Sequence, residues 1–170
     1  MDGGFNRFGY VNQNALSFID PAGLSATDIE IMLRELAYEF GEFRPRGTWM
    51  FGVPSNPDDI AATELISGNM IFRPEWSTPG CLSPEEFNTR ISKVFHESMH
   101  STDSAFRRIF GGEANHELIW NRERWEFGVM HPSKRKKQGT MWGNPRSTPV
   151  DEDAIYSRYL KSNPDCTCRR

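Results

Sequence analysis

Two histidines four residues apart flank a glutamate inside one predicted helix of this chain. The stretch reads His96-Glu97-Ser98-Met99-His100, an H-E-x-x-H pattern. Residues four apart lie one above the other on a helix, so both imidazoles point the same way and can share one metal ion. Glu97 lies about 100° around the helix from His96, beside such an ion. The pattern predicts His96 and His100 as metal ligands and Glu97 as the base that takes a proton from a metal-activated water.

Capping signals place this motif well inside a helix. Ser83 is a favoured N-cap residue, Pro84 suits the first helical position and Glu86 completes a capping box. An apolar stripe at helical spacing follows, formed by Phe87, Ile91, Val94, Phe95 and Met99. The motif therefore lies on an amphipathic helix, which is the context that its chemistry requires.

The rest of the chain from Ser25 onward predicts a compact α+β domain. A capping box, Thr27-x-x-Glu30, begins a helix that stops at Gly41. The other predicted elements are strands at 48–53 and 65–72, a helix over 113–130, a loop over 131–149 and a short helix over 151–160.

Composition excludes several classes of protein. The 170 residues carry 20 Lys plus Arg against 23 Asp plus Glu, a net charge of -3, so a nucleic-acid partner is not expected. No apolar run approaches the roughly 18 residues of a membrane span. The cysteines, Cys81, Cys166 and Cys168, are too few for a disulfide scaffold and odd in number, and synthesis in the cytoplasm is expected. Cys166 and Cys168 could bind a metal, but no second Cys/His pair lies nearby, so a frayed C-terminal tail is the better interpretation.

The motif resembles the active-site helix of the zincin metallopeptidases. In addition, the stretch 66–72 is similar to the Gly-Asn-x-Ile strand that often precedes H-E-x-x-H in toxin-associated zincins. The resemblance implies a compact zincin-like fold, a zinc cofactor and an extended peptide substrate lying along the edge of that strand. The third histidine that marks the metzincin subclass is absent after His100, which is followed by Ser-Thr-Asp-Ser-Ala-Phe.

The gluzincin pattern takes its third ligand, a glutamate, from the next helix. That helix offers four candidates: Glu113, Glu117, Glu123 and Glu126. Glu113 suits the helix dipole without a metal. Glu117 shares a solvated face with charged neighbours, and Glu126 is ambiguous.

Glu123 is the preferred third ligand, with Glu117 second. Positions 116, 120, 123 and 127 form one stripe that reads His, Trp, Glu, Phe, so the carboxylate should be drawn inward with the aromatic rings. A buried unpaired carboxylate costs several kcal/mol, which coordination to zinc would remove. A salt bridge to Lys93 or Arg124 is the alternative that needs no metal, although Arg124 points to a different face.

Four further features have weaker chemical assignments. Asp103 shares the helix face of His96 and His100 and could orient a ligand, or could be an exposed helix residue. His116 and His131 are candidate oxyanion stabilisers, or ordinary structural histidines. The basic run 134–137 could touch phosphates, but a solvated loop is the better interpretation.

Residues 3–24 differ from the rest of the chain, being rich in Gly and Asn and ending in a turn signature. Their order resembles the C-terminal end of the RHS-repeat core, with Phe5-Asn6, Phe8, Tyr10-Val11, Asn14-Ala15-Leu16 and Asp20-Pro21-Ala22-Gly23-Leu24 as the matching residues. That family has a β-structured shell that releases a toxin by aspartate-dependent self-cleavage. The resemblance implies a remnant at 1–24, Asp20 as the processing residue, a cut near Leu24 and a toxin domain at 25–170.

Together these features predict a zinc-dependent endopeptidase toxin. The resemblances imply synthesis in a bacterial cytoplasm, secretion or delivery into a target cell, a protein substrate there, the RHS shell of the parent chain and a cognate immunity protein. The alternative is an RHS-associated nuclease toxin that uses a His/Glu metal site and the basic loop 134–137. A non-catalytic module with a structural metal is disfavoured, because a structural site needs no base such as Glu97.

Overall fold

A computed structural model describes residues 28–40, 45–77, 80–127, 149–163 and Cys166. These residues form an α+β fold. Its elements are α1 (Asp28–Phe40), β1 (Trp49–Phe51), β2 (Ala61–Thr63), β3 (Met70–Phe72), a 3-10 turn (Pro74–Ser77), α2 (Pro84–Thr102), α3 (Ala105–Phe110), α4 (Gly112–Glu126) and α5 (Glu152–Ser162). The predictions for Asp20, Leu24, His131, the run 134–137 and Cys168 fall outside the described residues.

The longest helix in the described part of the chain, α2, begins where its capping signals predict. The Ser83 side chain accepts a hydrogen bond from the Glu86 amide at 3.2 Å, and Pro84 is the first helical residue. The whole predicted apolar stripe is buried, with Phe87, Ile91, Val94, Phe95 and Met99 each at most 3% exposed. No helix among the described ranges combines the length and hydropathy of a membrane span.

Helices α1 and α5 cover the N-terminal half of α2. Phe87 on α2 packs against Tyr159 on α5, with ring centroids 4.6 Å apart. The Tyr159 hydroxyl donates to Asp28 at the start of α1 at 3.0 Å and accepts from the Leu82 amide at 3.1 Å. A buried hydroxyl with both roles filled carries little desolvation cost, so this contact fixes three segments around the start of α2.

The three strands form one mixed sheet in the order β1-β3-β2. β3 pairs in parallel with β1, with Trp49 opposite Met70, and antiparallel with β2, with Ala61 opposite Phe72. The prediction that the stretch 66–72 supplies a free edge is therefore wrong, because β3 is bonded on both sides. The edge strand that packs against α2 is β2, a three-residue strand that sequence analysis missed.

A disulfide joins Cys81, just before α2, to Cys166, just after α5. The predicted frayed tail is thus wrong at Cys166. The two cysteines are 85 positions apart in the chain, and they meet because α5 packs beside the segment that precedes α2. The Tyr156 hydroxyl, which donates to the Leu82 carbonyl at 2.9 Å, holds the same junction.

Removal of this disulfide should lower the free energy of unfolding by about 4 kcal/mol, because the bond closes a loop of 85 positions and restricts the unfolded chain. The variant is Cys166→Ser, and urea unfolding measured without reductant gives the free energy. Cys168→Ser is the matched control, since it removes a thiol without removing a sulfur of the bond. Equal stability of Cys166→Ser and the unchanged chain would contradict the prediction.

Candidate metal centre

Three histidine side chains from two helices meet at one place. His96 and His100 come from α2 and His116 comes from α4. One ligand nitrogen of each lies within 4.8 Å of the other two, and the Nε2 atoms of His96 and His116 are 3.0 Å apart. The ring centroid of His100 lies 5.0 Å from that of His96 and 5.3 Å from that of His116. This histidine group is positioned to bind a metal ion.

Glu123, the predicted third ligand, lies behind His96 instead of within the histidine group. Its Oε2 atom is 2.8 Å from Nδ1 of His96, the ring nitrogen on the far side from His116. Its Oε1 atom accepts a hydrogen bond from Nζ of Lys93 at 3.1 Å. Glu123 is buried as predicted, with 7% of its surface exposed, but an ion pair with Lys93 and a contact with His96 satisfy the carboxylate.

The remaining candidate glutamates on α4 also lie elsewhere. Glu126 is fully buried, with Oε1 2.5 Å from Nε of Arg122 one turn earlier in the helix. Glu117 and Glu113 are exposed. The residue of α4 that lies with His96 and His100 is His116, for which the sequence suggested an oxyanion stabiliser or an ordinary structural histidine.

Burial and neighbouring charges lower the pKa values of two of the three histidines, which favours the neutral rings that bind a metal cation. Burial, followed by the charges of His96, His116 and Arg108, lowers the pKa of His100 to about 3. Burial and then the charge of His96 lower the pKa of His116 as well. Both rings are therefore neutral at neutral pH, and neutral imidazole is the form that binds metals.

The carboxylate of Glu123 fixes the tautomer of His96. Burial alone would raise the pKa of Glu123, but the hydrogen bond and charge of His96, together with Lys93, hold this pKa below its ordinary value. An ionised carboxylate is an acceptor only, so Nδ1 of His96 carries the proton. When His96 is neutral, its lone pair therefore lies on Nε2, the nitrogen that faces His116, as in metal-binding histidines.

The predicted base, Glu97, lies beside the histidine group in a buried position. It is 7% exposed, and its Oε2 atom is 2.8 Å from the hydroxyl oxygen of Thr63 on β2. The same hydroxyl lies 3.0 Å from the Glu97 backbone carbonyl. Burial raises the pKa of Glu97, against opposing effects of His96, Thr63 and Lys93. A carboxylate with a raised pKa is a stronger base than an ordinary one.

An open pocket of about 430 Å³ connects these side chains. All three histidines and Glu97 line it, and residues 58–63 run along its wall up to and through β2. Because β3 is bonded to both other strands while β2 has a single strand neighbour among the described residues, the pocket wall includes a sheet edge. An edge backbone can pair with an extended chain.

Asp103 supports the site from the junction between helices. α2 ends at Thr102, and Asp103 is its C-cap in an extended conformation, so it does not continue the predicted helix face. It is 1% exposed, and its Oδ2 atom accepts a hydrogen bond from the side chain of Asn115 at 2.8 Å. Asn115 precedes His116, so Asp103 connects the end of α2 to the turn of α4 that carries the third histidine.

Trp120 differs from its predicted place in the core. It is 51% exposed, and its ring stacks on His116 at 5.4 Å with an interplanar angle of 18°. The stripe of α4 that contains positions 116 and 120 faces the pocket, while Ile119 and Trp125 supply the buried face of this helix. Trp120 thus covers one side of a metal-site histidine.

Comparison of the chain with protein-family models, with curated proteins and with solved structures gives no match. The site is therefore interpreted from its own geometry.

Loss of the third histidine should remove tight metal binding, because His116→Ala leaves two imidazoles.

Glu123→Gln keeps all three ligands but removes the charge behind His96, so zinc affinity should fall about 10- to 100-fold. Competition with a chromogenic chelator measures both changes. Glu117→Gln, an exposed glutamate on the same helix, is the control and should bind as the unchanged protein does. An equal loss in Glu117→Gln would contradict this assignment.

The stability of the metal-free protein should fall as the pH drops below about 6.5, the ordinary pKa of histidine. Between that value and about 3, the unfolded chain binds a proton at His100 that the folded chain does not bind, so acid favours unfolding. His100→Gln should weaken this dependence. Urea unfolding at neutral pH and at about pH 5 gives the slope for both proteins, and identical slopes would refute the prediction.

Proposed function

We propose that this protein is a zinc-dependent endopeptidase, with His96, His100 and His116 as ligands and Glu97 as the general base. The observation that carries the proposal is the placement of a buried carboxylate and a sheet edge in the same pocket as three convergent histidines. A structural metal site would need neither.

The donor set supports zinc as the ion. Zn²⁺ takes imidazole nitrogens at about 2.0–2.1 Å, and two such nitrogens in a tetrahedral arrangement lie about 3.3 Å apart. The 3.0 Å between the Nε2 atoms of His96 and His116 is close to this spacing. Three protein ligands also leave a position for water, as in catalytic zinc sites. When bound, zinc supplies Lewis acidity for a peptide carbonyl and lowers the pKa of a coordinated water to about 7.

Glu97 moves the proton in the proposed reaction. Its carboxylate takes a proton from the attacking water while the water oxygen forms a bond to the peptide carbonyl carbon. It then delivers that proton to the amide nitrogen as the carbon–nitrogen bond breaks, so the products are a carboxylic acid, which keeps the second proton of the water, and an amine; these ionise to a carboxylate and an ammonium group. Thr63 holds Glu97 Oε2 at 2.8 Å and thereby sets the direction of the carboxylate.

The proposed substrate is an extended stretch of a target protein. Backbone pairing with β2 would place a peptide along the pocket wall, past Glu97 and the histidine group. The role predicted for residues 66–72 thus passes to β2, the edge strand that lines the pocket.

The biological setting of the proposal comes from residues 1–24. Their resemblance to the end of the RHS core supports release of the domain by Asp20-dependent cleavage near Leu24. The proposal therefore includes synthesis in a bacterial cytoplasm, delivery into a target cell and a cognate immunity protein that protects the producer.

The isosteric change Glu97→Gln should abolish peptide-bond cleavage while zinc remains bound, because it removes the base and leaves the three ligands in place. The measurement is the set of new protein N-termini that appear when zinc-loaded protein is added to bacterial and eukaryotic cell lysates. We expect new termini with the unchanged protein and none with Glu97→Gln. Glu117→Gln is the matched control and should give the unchanged pattern.

Two outcomes of that experiment would contradict the proposal. Identical termini with and without Glu97 would exclude the peptidase chemistry. Degradation of nucleic acid in the same lysates, without new protein termini, would favour the nuclease alternative.

A further inference from the structure

Lys93 brings a positive charge to the same pocket. It lies one helical turn before Glu97 on α2 and three residues before His96, so all three share one helix face. Its side chain is 32% exposed and lines the pocket with Glu97 and His116.

Glu123 holds Lys93 in place without using all of its donors. An ammonium group has three N–H bonds, and the carboxylate of Glu123 accepts from Nζ at 3.1 Å. Within the described ranges Nζ has no other hydrogen-bond acceptor, so two donors remain for a group in the pocket. The ion pair also keeps the long side chain from sampling other directions.

Arg108 is the other charged donor, apart from the histidines, among the described residues that line the pocket, and its donors already have acceptors. Nε and Nη2 of Arg108 each donate to a carbonyl of the 65–66 turn at 2.8 Å, and Nη1 donates to the carbonyl of Asp103. The Thr63 hydroxyl contacts Glu97. The three imidazoles form the proposed ligand set.

We propose that Lys93 donates a hydrogen bond to the carbonyl oxygen of the cleaved peptide bond as negative charge develops there. This inference rests on the proposed peptidase function. A charged donor aimed at a developing oxyanion stabilises the transition state more than the ground state, so it raises kcat with little effect on KM. Lys93 transfers no proton, because Glu97 carries the proton from the water to the leaving amine.

A second role of Lys93 must be separated from this one. Lys93 also neutralises Glu123, so its loss could act through His96 and the metal. In Glu123→Gln that carboxylate is gone and Lys93 keeps its charge. If Lys93 acts on the substrate, its removal lowers kcat in the Glu123→Gln protein as well. If Lys93 serves only to neutralise Glu123, its removal leaves the kcat of that protein unchanged.

The test uses zinc-loaded protein and a peptide that spans a cleavage site found in the lysates. Lys93→Met should lower kcat about 100-fold with KM unchanged, and a similar loss should follow in the Glu123→Gln background. Lys93→Arg should recover part of the activity because it keeps a charged donor. Lys161→Met, an exposed lysine on α5, is the matched control and should leave kcat unchanged.

Inhibitor binding gives a readout that does not depend on turnover. A phosphinate version of the peptide, which carries a charged oxygen in place of the carbonyl oxygen, should bind Lys93→Met about 100-fold more weakly. A reduced-amide version, which lacks that oxygen, should bind both proteins equally. Equal phosphinate affinity, or equal kcat for Glu123→Gln with and without Lys93, would overturn the inference. If the unchanged protein cleaves no protein at all, the proposed function fails instead.

Discussion

The contact between Nδ1 of His96 and Oε2 of Glu123 joins the two helices that carry the histidine group. It crosses from α2 to α4 at 2.8 Å in a buried position and determines which nitrogen of His96 faces the other two rings. Nζ of Lys93 donates a hydrogen bond to the other oxygen of the same carboxylate, Oε1 of Glu123. A single buried carboxylate thus sets the ring tautomer, pairs with a lysine that lines the pocket and links the two helices, although it lies outside the histidine group.

Helix α2 lies in the core although it carries buried polar residues, because the side chains of those residues have hydrogen-bond partners. Ser98 and Ser101 are fully buried, and their hydroxyls donate to the carbonyls of Val94 and Gly68 at 2.6 and 2.7 Å. At Gly47, whose amide donates to the Ser101 hydroxyl at 3.1 Å, a Cβ would lie only 2.1 Å from the Gly68 carbonyl oxygen. The loops before β1 and β3 therefore close onto the end of α2 only because this position has no side chain.

Local signals in the sequence predicted α1, α2, α4 and α5, whereas the short helix α3 was missed. The Ser83 cap, the Pro84 start and the buried stripe of α2 all follow from short-range rules. The strand β2 was missed because Ala-Ala-Thr carries no alternating pattern, and its pairing with β3 is a long-range choice. The Cys81–Cys166 pair was missed for the same reason, since 85 positions separate the partners.

The sequence predicts the site residues that lie on α2, but the residues that α4 adds depend on how the two helices pack. Spacing alone placed His96, Glu97 and His100 on α2. The stripe on α4 correctly brought positions 116 and 123 to one side of the helix, but one-dimensional reasoning could not rank a histidine above a glutamate on that face. Burial favoured Glu123, and its partner Lys93 lies on the other helix, so only the docked structure shows that an ion pair satisfies the carboxylate.

Because the histidine group draws its members from separate helices, an ion bound there would be linked to folding itself. The unfolded chain has no preformed group, so an ion that binds the folded state stabilises it by mass action, by about 4 kcal/mol at a free concentration a thousand times the dissociation constant. Metal supply would then govern the abundance of folded protein as well as its chemistry. A cell that sequesters the metal would expose this chain to proteolysis through a more populated unfolded state.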